Sequence, residues 1–141
     1  MHNCGVYATR VAGAGGILLD PRGQVEQTFA WGLGYRTNNE AKWLALLQGI
    51  KILANNDLSR IEIFGYSQHV TYKMLNGYTT GSIKCHRLYD KITPLLSKHY
   101  EFYHILHTNN VAANALANMG ASLPQGHYCS NGQNSQPKSI P

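Results

Sequence analysis

The sequence predicts an α/β domain, built on a mixed sheet of about five strands with helices on its faces. Strand-like segments joined by short turns come first, an amphipathic helix follows, and strands then alternate with helices to about residue 120. A strand that follows a helix favours parallel pairing, whereas strands joined by tight turns pair antiparallel. The chain of 141 residues suits one domain of ordinary size.

Three strands are predicted before the first helix. A short, mixed segment occupies residues 3–8, and the glycine-rich, then aliphatic residues 13–19 are typical of a strand whose backbone is closely approached. Residues 20–23, Asp-Pro-Arg-Gly, predict a tight turn, because Pro at the second position and Gly at the fourth favour one. The partly alternating residues 25–33 predict the third strand.

Helical patterns dominate the rest of the domain. Thr37 and Glu40 have the spacing of a capping box, and apolar residues then recur at helical period over residues 43–54. The later elements are a strand at 61–65, a helix at 68–75, a helix at 85–99 broken by Pro94, a strand at 101–106, and a helix at 111–119 between the cap Asn110 and Gly120 just past its end.

The composition changes at Pro124, after which Gln, Asn, Ser, Gly and Pro dominate. Little is left there to bury, so we expect residues 124–141 to be a flexible tail unless a partner orders them. The predicted domain is therefore residues 1–123.

The charge and the hydropathy of the chain bear on which partners it can bind. Lys and Arg number 12 and Asp and Glu only 7, for a net charge of +5, and charged residues make up 13% of the chain against about 25% in typical proteins. Such a chain permits a nucleic-acid partner without requiring one. The longest small and apolar run, residues 11–19, is about half of a membrane span, so no membrane association is expected.

The cysteines indicate the compartment. Cys4, Cys85 and Cys129 are odd in number and widely scattered, which fits neither a disulfide framework nor a zinc site. We therefore expect an intracellular protein of the cytoplasm or nucleus.

Four short motifs, in this order and spacing, resemble the ribonuclease H family, particularly its plant and retroelement-type domains. The motifs are the glycine-rich strand with its turn at 13–23, Thr-Asn-Asn-Glu-Ala-Lys-Trp at 37–43, Gly-Tyr-Ser-Gln at 65–68, and the segment 104–118. The likeness runs from about residue 3 to residue 120. It implies the ribonuclease H-like fold and a retrotransposon-derived, plant-type ancestry.

The resemblance also implies where a metal site would be. The family holds two magnesium ions with four carboxylates, since magnesium is a hard cation that takes oxygen ligands. Carried over by position, the four carboxylates fall on Cys4, Lys42, Tyr66 and Asn114. Glu40 lies two residues before the family's glutamate and does not replace it. The resemblance thus implies a pseudoenzyme with no catalytic residues, no bound magnesium and no other cofactor.

Several residues match positions that contact nucleic acid in the family. Asn38 and Asn39 resemble residues that touch sugars and base edges, where an amide suits the 2′-hydroxyl. Lys42 would contact a phosphate, Tyr66 would stack on a base, and His104 matches a histidine near the active site. The nucleic-acid-binding residues so implied are Asn38, Asn39, Lys42, Tyr66, His104 and His107. Each of these residues also has a purely structural interpretation. The asparagines would cap the helix, the lysine would be an exposed side chain, the tyrosine would lie in the core or at its rim, and the histidines would be hydrogen-bonded polar residues.

The leading interpretation is a catalytically inactive ribonuclease H-like domain that binds RNA or an RNA–DNA hybrid through the remnant cleft. The alternative is a protein–protein interaction scaffold on the same fold, with a protein partner. An active hybrid ribonuclease is disfavoured. Restoring the four carboxylates, one of them in place of a lysine, would cancel the net charge of +5. The basicity is therefore largely a property of one emptied site.

Overall fold

A computed structural model of the protein describes residues 10–19, 22–54, 60–65, 68–77, 82–96, 99–104 and 111–141. These residues form six strands, four α-helices and one turn of 3₁₀-helix. In chain order they are β1 (Arg10–Leu19), β2 (Val25–Arg36), α1 (Asn38–Ala54), β3 (Arg60–Gly65), α2 (Gln68–Asn76), α3 (Ile83–Ile92), the 3₁₀ turn (Thr93–Leu96), β4 (His99–His104), α4 (Val111–Ala121), β5 (Tyr128–Ser130) and β6 (Gln133–Ser135).

The strands confirm the predicted α/β class. In the described part of the chain, β1, β2, β5 and β6 form an antiparallel sheet in that order, and β3 pairs in parallel with β4. The parallel pair follows from the helix that precedes β3, as the sequence order predicts. The strand expected at residues 3–8 lies outside the described residues.

The core lies between the sheet and α1. Trp43, Leu44, Leu47 and Ile50 repeat at helical spacing on one face of α1, and all of them are buried. This face packs against β1 and α3. The apolar stripe predicted from the sequence is therefore the face that fixes α1 on the sheet.

Helix α4 crosses β1 and β2 on a stripe of small residues. A Cβ atom built on Gly15 would lie 2.3 Å from the Ala117 backbone nitrogen, and one on Gly13 would lie 2.1 Å from that of Ala121. The close approach expected of the glycine-rich strand is thus made by α4. Gly120 was expected just past the end of this helix, and this prediction is wrong, because α4 continues to Ala121. A side chain at position 120 would collide with the Trp31 backbone, which explains why a glycine occurs inside the helix.

The helix predicted at 85–99 is shorter than expected. It ends at Ile92, the 3₁₀ turn that contains Pro94 follows, and His99 already belongs to β4. Proline has no backbone N–H and its ring disfavours the α conformation of the residue before it, so the α-helix cannot continue.

The prediction of a flexible tail is wrong. Strand β5 pairs with the outer edge of β2, and β6 pairs with β5 through a two-residue turn at Asn131 and Gly132, whose φ angles are 54° and 78°. Tyr128 is buried between Phe29 and Trp31, and its hydroxyl accepts a hydrogen bond of 2.8 Å from Gln48 Nε2. One buried aromatic and an Asn-Gly turn, the strongest short signal of a hairpin, outweigh a polar composition.

Candidate nucleic-acid interface

The start of α1 is a satisfied helix cap. The Thr37 hydroxyl accepts a hydrogen bond of 3.1 Å from the Glu40 backbone N–H and donates one of 3.2 Å to Glu40 Oε1. The other carboxylate oxygen of Glu40 lies 3.5 Å from Arg36 Nη1. Thr37 and Glu40 therefore serve the helix, as the capping-box spacing predicts, and the Glu40 carboxylate is committed to these two neighbours.

Asn38, Asn39 and Lys42 lie in the first turns of α1. Asn39 is exposed, while Asn38 and Lys42 are half-buried. Lys42 follows Asn38 by four residues and Asn39 by three, so the three side chains lie on neighbouring rows of the same helix surface. The structure thus brings together three of the residues that the resemblance assigns to nucleic-acid binding.

Lys42 is a partly desolvated cation. Burial lowers the pKa of its ammonium group. Within the described ranges, no carboxylate forms an ion pair with it. A charge held partly out of water without a counter-ion gains from any anion that reaches it.

A histidine lies against this part of α1, and the sequence did not identify it as part of the site. The Trp43 indole N–H donates a hydrogen bond of 3.1 Å to His69 Nε2, and the two rings meet edge to face with centroids 6.0 Å apart. The pKa of His69 is lowered by burial first, and then by the positive charges of Lys73 and Lys42. Lys42, His69 and Lys73 are called the cation cluster below. Only the spacing of four residues between His69 and Lys73 was visible in the sequence as a signal.

Asn114 lies on α4, half-buried. Its side-chain oxygen is buried and has no hydrogen-bond partner in the part of the chain that the structure describes. The amide keeps the shape of an aspartate without its charge. A neutral oxygen at one position and an ammonium group without a lone pair at another do not fit a magnesium pair, which needs several carboxylates.

The other implied site residues are only partly visible. Cys4, Tyr66 and His107 lie outside the described residues. His104 is the last residue of β4, and its backbone pairs with Gly65, the residue before Tyr66. The backbone register therefore places His104 at the carboxyl end of β3, where the motif Gly-Tyr-Ser-Gln begins.

Comparison with known proteins gives the following matches. A family model described as reverse transcriptase-like matches residues 3–120. An RNase H1 from the halophilic archaeon Halobacterium salinarum is 24% identical, with a TM-score of 0.76 over 83% of this chain and 90% of that one. An RNase H1 isolated from compost is 21% identical, with a TM-score of 0.74 over 82% of this chain and 87% of that one.

A third solved structure, the N-terminal RNase H domain of a Mycobacterium tuberculosis protein, is 20% identical, with a TM-score of 0.74 over 80% of this chain and 84% of that one. No curated protein sequence matches the chain. Among the helices that the structure describes, none has the length and apolar character needed to span a membrane.

Proposed function

The chain belongs to the reverse transcriptase-like family and has the ribonuclease H-like fold, and from this premise we propose that it binds RNA or an RNA–DNA hybrid without hydrolysing it. The observation that carries the proposal is Lys42. It is a half-buried ammonium group, unpaired with any described carboxylate, at the position where the family resemblance puts a metal-binding glutamate. The compost RNase H1 has been solved in complex with an RNA/DNA hybrid, which supports this class of ligand for the fold.

The chemistry of the neighbours agrees with a nucleic-acid ligand. An ammonium group that is partly out of water attracts a phosphate more strongly than one in bulk solvent. Asn39 is exposed on this surface of α1 and offers an amide that both donates and accepts hydrogen bonds, whereas the side-chain oxygen of Asn38 is buried. The 2′-hydroxyl of RNA has the same dual character, so RNA or a hybrid suits this surface better than DNA alone.

Loss of hydrolysis is the second part of the proposal. It rests on the four positions Cys4, Lys42, Tyr66 and Asn114, none of which is acidic. A lysine among them opposes the binding of a divalent cation by direct repulsion. An intracellular location and descent from a plant-type retroelement domain belong to the same proposal.

The binding test is a titration of a short RNA–DNA hybrid at increasing salt. We expect affinity to fall by more than about tenfold over a fourfold rise in salt, because phosphate contacts release counter-ions. Lys42→Gln should weaken binding and lower the slope of log affinity against log salt by about 1. Lys51→Gln is the matched control, since Lys51 is exposed in the last turn of the same helix. No hybrid or RNA binding at low salt would refute the proposal.

The test of inactivity is a reversion series assayed with magnesium. The unaltered chain should not cleave a hybrid. A chain that combines Cys4→Asp, Lys42→Glu, Tyr66→Asp and Asn114→Asp should gain cleavage if these are the four metal positions. Magnesium-dependent cleavage by the unaltered chain, abolished by Glu40→Gln, would show that the assignment is wrong.

One observation favours a second candidate, an interaction scaffold. Tyr72 and Leu75 lie three residues apart on α2, and each is 62% exposed. Exposed apolar side chains on one helix surface are typical of a protein contact. A scaffold would lose its partner in the double variant Tyr72→Ser and Leu75→Ser and would keep it after nuclease treatment, whereas the nucleic-acid proposal predicts no effect of this variant on hybrid affinity.

A further inference from the structure

We infer that the cation cluster Lys42, His69 and Lys73 is a proton-linked phosphate site, at which binding of a nucleic-acid backbone is coupled to protonation of His69. The inference rests on the proposed function and adds its regulation. It assigns a role to two residues, His69 and Lys73, that the family resemblance did not identify.

Geometry fixes the imidazole between two helices. Trp43 of α1 is fully buried, and its indole N–H donates to His69 Nε2 of α2. Because Nε2 accepts this bond, the neutral imidazole carries its proton on Nδ1. Lys42 is the chain neighbour of Trp43, and Lys73 lies one helical turn beyond His69. Both ammonium groups lie close enough to the ring to lower its pKa.

Charged and titratable groups surround His69 on the elements that pack around it. On α1 the charge is Lys42 and on α2 it is Lys73; both lower the pKa of His69, after the larger effect of burial. On α3, Tyr89 packs on Trp43, and the charged or titratable residues of this helix are Lys84, Cys85, His86, Arg87, Asp90 and Lys91, of which His86 and Asp90 form a pair. Strand β4 also packs on α2, and its titratable residues, whose side chains are not described, are His99, Tyr100, Glu101, Tyr103 and His104.

A phosphate bound at the cluster would change this balance. Its negative charge offsets the repulsion that the two lysines exert on the imidazolium ion, which favours the protonated form of His69. Protonation places a hydrogen on Nε2 and so removes the acceptor of the Trp43 bond. The free protein therefore keeps the neutral form at neutral pH, and the bound protein takes up a proton. By linkage, affinity for the phosphate backbone rises as the pH falls.

The main experiment measures hybrid affinity against pH at constant ionic strength. We expect the unaltered chain to bind about threefold more tightly near pH 6 than near pH 8. A rise of one pKa unit on binding corresponds to a gain of about tenfold at most, which is reached only at pH values below the lowered pKa of the free protein. His69→Gln should remove the pH dependence, since a glutamine can still accept the Trp43 bond but cannot be protonated. Lys73→Gln should weaken binding severalfold and lower the salt slope by about 1.

His86→Gln is the matched control, because His86 is a helical histidine on α3 outside the cluster. It should keep the pH dependence of the unaltered chain. The inference is overturned if His69→Gln and His86→Gln give the same pH profile, or if Lys73→Gln has no more effect than Lys84→Gln at an exposed site on α3.

A second measurement does not depend on any variant. Imidazole resonances of the unaltered chain, followed by NMR with and without hybrid, should show the pKa of His69 rising on binding. An unchanged His69 pKa in a saturated complex would refute the coupling alone. Failure of the chain to bind a hybrid at any pH would instead refute the proposed function, so the two failures are distinguishable.

Discussion

Helices α1 and α4 differ in the kind of side chain that makes their contacts with the rest of the protein. Helix α4, which has no charged residue, meets β1 and β2 through Gly13, Gly15 and Gly120. Helix α1 meets α2 through Trp43 and His69, with Lys42 and Lys73 beside them. The first contact depends on shape and the second on electrostatics, so substitutions should separate the fold from ligand binding.

The same contrast exists within α1 over two residues. Glu40 is buried, and its carboxylate accepts a hydrogen bond from Thr37 and forms an ion pair with Arg36, so its charge is compensated within the protein. Lys42 is half-buried and has no such partner among the described residues. A charged group that is paired within its own chain stabilises the fold. A desolvated charged group that lacks a counter-ion is suited to binding a ligand of opposite charge.

The largest expected effect is on the α4 contact. In Gly15→Val, the new Cβ would lie 2.3 Å from the Ala117 nitrogen and 2.5 Å from the Leu116 carbonyl carbon, both backbone atoms that cannot move aside. We expect a loss of about 3 kcal/mol in the free energy of unfolding, or failure to fold. Chemical denaturation measures it.

Gly49→Ala is the matched control for that substitution. Gly49 lies in α1 and a Cβ there would meet open space. Alanine should therefore stabilise the protein by about 0.5–1 kcal/mol, because glycine is the poorer helix former. Equal destabilisation by both substitutions would contradict the close approach of α4.

The next effect concerns the C-terminal hairpin. Tyr128→Phe removes the hydroxyl that accepts the buried Gln48 hydrogen bond and leaves the ring between Phe29 and Trp31. We expect a loss of about 1–2 kcal/mol in the free energy of unfolding, the cost of a buried donor left unsatisfied. Hydrogen exchange of residues 128–135 should quicken. If β5 were loosely attached to β2, neither quantity would change.

The sequence predicted the apolar contact better than the polar one. The run of small residues in β1 predicted a closely approached backbone, and the cap and apolar stripe of α1 were correct, because these signals are local in the chain. The hairpin at Asn131 and Gly132 was not predicted, because the segment around it is mostly polar, although Asn-Gly favours a hairpin turn.

The cation cluster was missed for a different reason. Lys42 was found because a motif places it, but Trp43 and His69 are 26 residues apart and meet only when α1 packs on α2. A histidine gains its altered environment from such tertiary contact. No spacing within α2 alone would have shown that His69 accepts a hydrogen bond from a buried tryptophan.

The helix cap provides a smaller test of the satisfied end of α1. Thr37→Ala removes the hydroxyl that binds the Glu40 backbone and carboxylate, and we expect a loss of about 1 kcal/mol in the free energy of unfolding. Thr37→Ser keeps the hydroxyl and should restore most of this. Thermal or urea unfolding measures both, and equal loss in the two variants would show that the hydroxyl is not the capping group.

The smallest effect is the pH dependence of stability that arises from His69. Its pKa in the folded protein lies below the ordinary histidine value of 6.5, because of burial first and then the charges of Lys73 and Lys42. Between the folded and unfolded pKa values the unfolded chain binds more protons, so this contribution to stability is complete at neutral pH. It is lost as the pH falls from about 6.5 through the folded pKa.

Urea unfolding of the free protein at several pH values should show this loss, and His69→Gln should reduce it while His86→Gln does not. Saturating hybrid should oppose it, because a bound phosphate favours the protonated imidazole that the lysines alone disfavour. If the stability of the free protein did not depend on His69 in this pH range, the α1–α2 contact and the α4 contact would not differ in their electrostatics. In that case Lys42 alone would account for any phosphate binding.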